Sequence, residues 1–159
     1  MSNVKLRTEE DLVLLNCQVG DRRQVLQALV ERVLAKGYVT EQFLEKLLER
    51  EEEFPTGLEM AYPIAIPHVG GNCRQSFLAL AVMREPVVFN AMDGTGKELP
   101  VSLVFMFGIT DPSGQVDVLK RFISSFREEK NLRGLRELQN ERAVVEYLGD
   151  LLGEGLEVN

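Results

Sequence analysis

Apolar positions along the chain fall into short runs flanked by stretches of helical period, a pattern that predicts strands covered by helices. Asp11–Cys17 holds Leu12, Val13, Leu14 and Leu15 together and reads as a buried strand. After Gly20 and Asp21, Val25, Leu29 and Val33 align with Leu26, Val30 and Leu34 at helical spacing, and Gly37 supplies the stop. Thr40 is placed to cap a second helix whose inward residues are Phe43, Leu44, Leu47 and Leu48. Arg50, Glu51, Glu52 and Glu53 read as its solvated end. Phe54-Pro55-Thr56-Gly57 then breaks the helix.

The middle of the chain changes to strand character. Ile64, Ala65 and Ile66 form a short apolar run closed by Pro67. Phe77–Met83 is a second run, and Val87–Phe89 a third beyond Pro86. The turn Asp93-Gly94-Thr95-Gly96 leads into Leu99–Ile109, the most hydrophobic strand and the expected centre of the sheet. Beyond Asp111-Pro112-Ser113 a helix is expected from about Gly114 to Glu129, with Val116, Leu119, Phe122, Ile123 and Phe126 on one face. Leu132, Leu135 and Leu138 mark a further helical turn, and Val144, Val145, Leu148, Leu151 and Leu152 a last helix. Gly153–Asn159 is expected to fray. One sheet between helices is the economical architecture, an α/β fold in a single domain spanning 1–159 with its core at about 12–152.

Charge narrows the partners. With 25 Asp and Glu against 18 Lys and Arg, the chain would be repelled by nucleic acid or an anionic membrane and favours protein partners. Cys17 and Cys73 lie far apart without CxxC spacing, which predicts reduced thiols and a cytoplasmic setting. Met1–Arg7 lacks the apolar run of a signal peptide. The longest apolar run, Val101–Ile109, is about half a membrane span. Gly96-Lys97 does not make a phosphate loop, because Glu98 stands where Ser or Thr is required.

His68 is the chain's single histidine. It follows Pro67 at the end of an apolar strand and precedes Val69, Gly70 and Gly71, which let the backbone turn and another molecule approach. Most lone histidines are surface or satisfied core residues, but this setting suits chemistry on an exposed ligand. One imidazole without a second does not make a metal site, and no metal or cofactor is expected. A neutral imidazole is a nucleophile for a phosphoryl group and releases it again, provided the ring faces solvent and one nitrogen is tied by a hydrogen bond. His68 is therefore read as a phosphoacceptor.

The string Pro63-Ile64-Ala65-Ile66-Pro67-His68 resembles the active-site signature of enzyme IIA domains of the fructose–mannitol class of the sugar phosphotransferase system. Arg50-Glu51, Thr56-Gly57, and Asp93-Gly94 ahead of Pro100–Phe107 stand in matching order, and Glu53–Gly57 is similar to galactitol-type members. The resemblance covers roughly Leu12 to Leu152. It implies a mixed sheet of about five strands with helices on both sides, and a phosphocarrier role. The phosphoryl group would arrive from the phosphohistidine of HPr or a related carrier and rest on Nε2 of His68. It would leave to a cysteine of enzyme IIB, with the membrane enzyme IIC coupling it to uptake of a sugar or polyol, galactitol-like by the local matches. Many fructose- and mannitol-type members carry a second histidine where Gln115 stands here, and the resemblance to galactitol-like members extends to this change.

Three supporting residues carry two readings each. Gln115 either donates its amide to a phosphoryl oxygen, without adding charge, or is an exposed helix-start residue. Arg50 is either the cation beside the site or a plain surface arginine. Thr56 either holds its loop or offers its hydroxyl to the phosphoryl group. Tyr62, Ile66 and Val69 are expected to form an apolar docking rim. The rival functions are a regulatory phosphoacceptor that switches a protein partner, a thiol enzyme pairing Cys73 with His68, and a binding module without chemistry.

Overall fold

The computed structural model describes residues 5–159, so the first four residues of the stretch read for a leader lie outside it. Two strands dominate. β6 (Phe77–Asn90) and β7 (Glu98–Ile109) pair as a long antiparallel hairpin, with a register shift between Val82 and Val87 where Pro86 lacks an N–H to donate. The turn between them is held by Asp93 Oδ1, which accepts from the N–H and hydroxyl of Thr95 at 3.0 and 2.6 Å. The two runs expected on either side of Pro86 are thus one bulged strand.

Short strands flank the hairpin. On the β7 side lie β4 (Ile64–Ala65) and β5 (His68–Gly70), both parallel to β7, and β3 (Gly57–Leu58) antiparallel to β4 at the edge. On the β6 side lie β1 (Leu6–Thr8) and β2 (Val13–Cys17), with β8 (Leu156–Val158) parallel to β1 at the other edge. The expected mixed sheet is present, but among the described residues it holds eight strands where about five were expected. Pro67 divides one strand line and a 3-10 turn at Glu10–Leu12 divides another. β1 and β8 are too short to show a period, and the expected fraying of the tail is corrected by the pairing of Leu156, Glu157 and Val158 with Leu6, Arg7 and Thr8.

Helices cover both faces. α1 (Arg22–Ala35) and α2 (Phe43–Glu53) bury Val25, Leu29, Phe43 and Leu47 against Phe77, Ala79, Val104 and Met106 on one face. α3 (Gln115–Phe126), α4 (Glu129–Arg136) and α5 (Glu141–Leu152) cover Leu78, Leu80, Leu103, Phe105 and Phe107 on the other. Neighbours along β6 and β7 alternate between the two cores, which is the period-two pattern of a sheet buried on both faces. Phe105, Phe122 and Phe126 pack with ring centroids 4.7 to 5.1 Å apart, so α3 is fastened to the central strand by aromatic contacts.

Two details of the helices depart from expectation. Asp21 caps α1 by accepting from Gln24 N–H at 2.9 Å, but Thr40 does not cap α2 with its side chain. Its carbonyl accepts from Phe43 N–H at 3.1 Å, while its hydroxyl is buried without a partner. On α3, Val116 is 60% exposed and Val118 takes the buried position, because the helix starts at Gln115 and its stripe runs through Val118, Phe122 and Phe126.

Candidate functional site

The site is built where β5 runs alongside the end of β7. Ile64 pairs with Leu103 and His68 with Phe107 in one unbroken register, so Pro67 interrupts the strand without displacing it. Pro67 lends its carbonyl to Phe107 N–H at 3.0 Å. His68 therefore opens a second strand segment instead of closing the first, and the backbone beneath it is pinned on the sheet centre. The turn follows at Gly71 and Asn72, both left-handed with φ of 83° and 55°.

The imidazole is largely enclosed: His68 keeps only 7% of its surface exposed, where an openly solvent-facing ring was expected. Its place in the sheet, with α2 laid beside β5, explains the burial. Burial still leaves a defined nucleophile. Ile66 carbonyl lies 2.6 Å from Nδ1, and a carbonyl only accepts, so Nδ1 carries the proton and Nε2 keeps its lone pair. Desolvation, together with the positive charge of Arg50 and against the pull of the Ile66 carbonyl, holds the pKa of the imidazole below its ordinary value. The neutral form dominates at neutral pH.

Arg50 lies within electrostatic reach of His68. Its charge is felt at His68, its guanidinium carbon sits 5.0 Å over the Phe54 ring, and its Nε–H is buried without a partner. Among the described residues it makes no ion pair. A cation stacked on an aromatic ring with an unsatisfied donor is ready for an anion.

Glu51 is the residue that the sequence reading missed. It is 5% exposed, although it was read as part of a solvated helix end. Phe43, Leu47 and Glu51 recur every four residues, which puts the carboxylate on the buried stripe of α2, and that spacing was the available signal. Its two oxygens accept from Thr56, Oε2 from the N–H at 2.8 Å and Oε1 from the hydroxyl at 2.7 Å. Burial pushes its carboxyl up to about 7 despite these bonds and the nearby Arg22. The Thr56 hydroxyl proton is thus engaged inside the protein, and the residue tethers its loop. Next to it, a Cβ on Gly57 would lie 2.6 Å from the Asn90 carbonyl, so the close approach of this loop to β6 requires glycine.

Gln115 is the first residue of α3, half-buried, one short turn beyond Ile109, which pairs with Gly70. The expected docking rim does not form. Ile66 is fully buried in the core under α3 to α5. Tyr62 lies six residues up the strand line, roughly 20 Å at strand rise, under the Arg136 guanidinium at 4.4 Å. Val69 is half-buried against the opposite core. The exposed apolar side chains beside the site residues are Phe54 and Val116. Cys73 is a free thiol pushed up to about 11 by burial, so it stays protonated at neutral pH and lacks the thiolate that a thiol enzyme needs. Among the described residues no cluster of His, Cys, Asp and Glu has metal-binding geometry, and no helix is long and apolar enough to cross a membrane.

Residues 7–150 match the family described as phosphoenolpyruvate-dependent sugar phosphotransferase system, EIIA 2. The galactitol-specific EIIA component of Escherichia coli (strain K12) is 30% identical over 135 residues, 82% of this chain and 89% of that protein. The mannitol-specific enzyme IIA component of Halalkalibacterium halodurans is 26% identical over 156 residues, 95% of this chain and 99% of that one. A 2-O-alpha-mannosyl-D-glycerate-specific EIIABC component of Escherichia coli is 33% identical over 97 residues, and this stretch is 59% of this chain but 14% of that longer protein. Among solved structures, the nitrogen regulatory protein IIA-Ntr of Neisseria meningitidis superposes with a TM-score of 0.75 at 25% identity, covering 90% of this chain and 96% of its own. The Escherichia coli mannitol enzyme IIA, solved in complex with phosphorylated enzyme IIB, has the same fold with a TM-score of 0.69 at 18% identity, covering 89% and 94%. The chain belongs to the EIIA 2 family of the phosphoenolpyruvate-dependent sugar phosphotransferase system, whose members are phosphotransferase phosphocarriers.

Proposed function

We propose that His68 is the phosphoacceptor of this carrier and that Nε2 is the atom that bears the group. The observation supporting this most directly is the Nδ1–H bond to Ile66, which leaves the other nitrogen of a neutral ring as the nucleophile. The donor is the phosphohistidine of HPr or a related carrier. The Nε2 lone pair forms the new N–P bond while the donor's N–P bond breaks and its electron pair returns to the donor ring. The His68 ring becomes cationic with Nδ1 still protonated. A cysteine thiolate of enzyme IIB then forms an S–P bond, and the pair returns to Nε2.

Transfer of this kind depends on positioning and on donors matched to the spreading charge. Arg50, with an unsatisfied buried donor, is the cation for the phosphoryl oxygens, and Gln115 supplies an uncharged donor from the start of α3. Phe54 and Val116 are the apolar surface on which donor and acceptor proteins rest in turn. The galactitol relative favours a polyol as the transported solute, chosen by enzyme IIC and not by this chain. The cytoplasm is the proposed compartment, in keeping with two free thiols.

A second reading, a regulatory phosphoacceptor that switches a protein partner, draws on the likeness to the nitrogen regulatory protein. Incubation with enzyme I, HPr and phosphoenolpyruvate, followed by mass analysis, is expected to give one acid-labile phosphoryl adduct in the native chain and none in His68→Ala. Labelling retained in that variant would remove His68. Onward transfer to a IIB cysteine supports transport; a phosphorylated form that discharges to no IIB supports regulation.

A further inference from the structure

A buried carboxylate on α2 is linked to the imidazole through two residues, Ile66 and Thr56, each of which accepts a hydrogen bond on its carbonyl and donates its own N–H onward. His68 Nδ1–H donates to the Ile66 carbonyl at 2.6 Å. Ile66 N–H donates to the Thr56 carbonyl at 3.2 Å. Thr56 donates its N–H and its hydroxyl to the two oxygens of Glu51, at 2.8 and 2.7 Å. We propose that Glu51 is a positioning residue for phosphoryl transfer, fixing the tautomer and orientation of the His68 ring through Thr56 and Ile66. This rests on the reading of His68 as phosphoacceptor.

The physical basis is geometric. Both Glu51 and Thr56 are buried, so neither bond is exchanged for water without cost. The bidentate grip fixes the Thr56 backbone, and the Thr56 carbonyl fixes Ile66. Because Ile66 precedes Pro67, the peptide between them has a carbonyl to accept and no N–H to donate, and that carbonyl takes the imidazole proton's hydrogen bond. Free imidazole divides its proton between the two nitrogens; this series holds it on Nδ1. When Nε2 takes the phosphoryl group the ring gains positive charge, and the Ile66 carbonyl accepting from Nδ1–H favours that state. At metal sites, carboxylates bonded to a ligating histidine orient its ring in the same way, and disturbing such outer partners typically changes affinity or activity on the order of 10-fold to 100-fold.

The chain's single histidine makes the test clean, because its two ring nitrogens give unshared 15N resonances. In the unphosphorylated native chain they are expected to report one tautomer, with Nδ1 protonated. Glu51→Ala is expected to shift the resonances towards a tautomer mixture and slow phosphorylation by phospho-HPr about tenfold, with far-ultraviolet circular dichroism retained. Thr56→Ala removes one of the two bonds and is expected to give a smaller change in both readouts, while Thr56→Ser restores them. Should Glu51→Ala not fold, the Thr56 pair decides alone. Native resonances and native rates in a folded Glu51→Ala chain, or Thr56→Ser behaving like Thr56→Ala, would overturn the proposal. The 15N readout needs no phosphate, so a native chain that fails to label at His68 would sink the phosphoacceptor reading while leaving the tautomer result to stand on its own.

Discussion

Replacing Glu51 with Gln gives a stability change whose size and pH dependence follow from the structure. The carboxyl is raised from an ordinary value of 4.5 to about 7, with burial as the leading cause. The folded chain therefore binds the proton more tightly than the unfolded chain. The resulting contribution to stability is fully present below pH 4.5 and is lost as pH rises through about 7. At about 1.4 kcal/mol for each unit of difference, the loss between about pH 5 and pH 8 is about 2 to 3 kcal/mol. Glutamine keeps one acceptor for Thr56, gives up the other, and has no proton to lose. It should cost about 1 kcal/mol at the lower pH from the missing bond, and equal or exceed the native chain at the higher one. Urea denaturation of both chains across this range measures the difference directly, since the remaining titrating groups are common to both. Parallel pH curves would refute the argument and mean that the Thr56 bonds and Arg22 offset the burial cost.

Arg50→Lys keeps the charge but loses the planar group stacked on Phe54, so phosphorylation by phospho-HPr should recover only partly relative to Arg50→Ala; full recovery would reduce Arg50 to a point charge. The rate of phosphorylation should fall on the acid side with a midpoint below the ordinary imidazole value of 6.5, because burial disfavours the charged ring; a midpoint at or above 6.5 would contradict the burial seen for His68. Gly57→Ala should cost about 1 to 3 kcal/mol in chemical denaturation, since its methyl would sit 2.6 Å from the Asn90 carbonyl, and an unchanged midpoint would show that the loop moves freely.

The central strands and the candidate histidine were legible in the sequence because both depend on local pattern. Leu99–Ile109 is apolar on both faces, as a central strand must be, and His68 stands at a proline that interrupts an apolar run. What escaped depended on partners distant in sequence. Leu6–Thr8 and Leu156–Val158 are strands only because each completes the other's ladder. Ile66 looked available for docking until α3, α4 and α5 covered its face. Solvent access to His68 was overestimated because a proline and two glycines suggest an open turn, whereas the register with β7 carries the chain on to Gly70. Glu51 lay between: its helical position was readable beside Phe43 and Leu47, but its acceptors had no visible donors until Thr56 folded back onto α2.

The most direct test of the whole account is to charge 15N-labelled chain with enzyme I, HPr and phosphoenolpyruvate, and to locate phosphorus on the His68 ring by its coupling to nitrogen. The account predicts phosphorus on Nε2 with the proton retained on Nδ1, bonded to Ile66. Phosphorus on Nδ1, or on any residue other than His68, would contradict it.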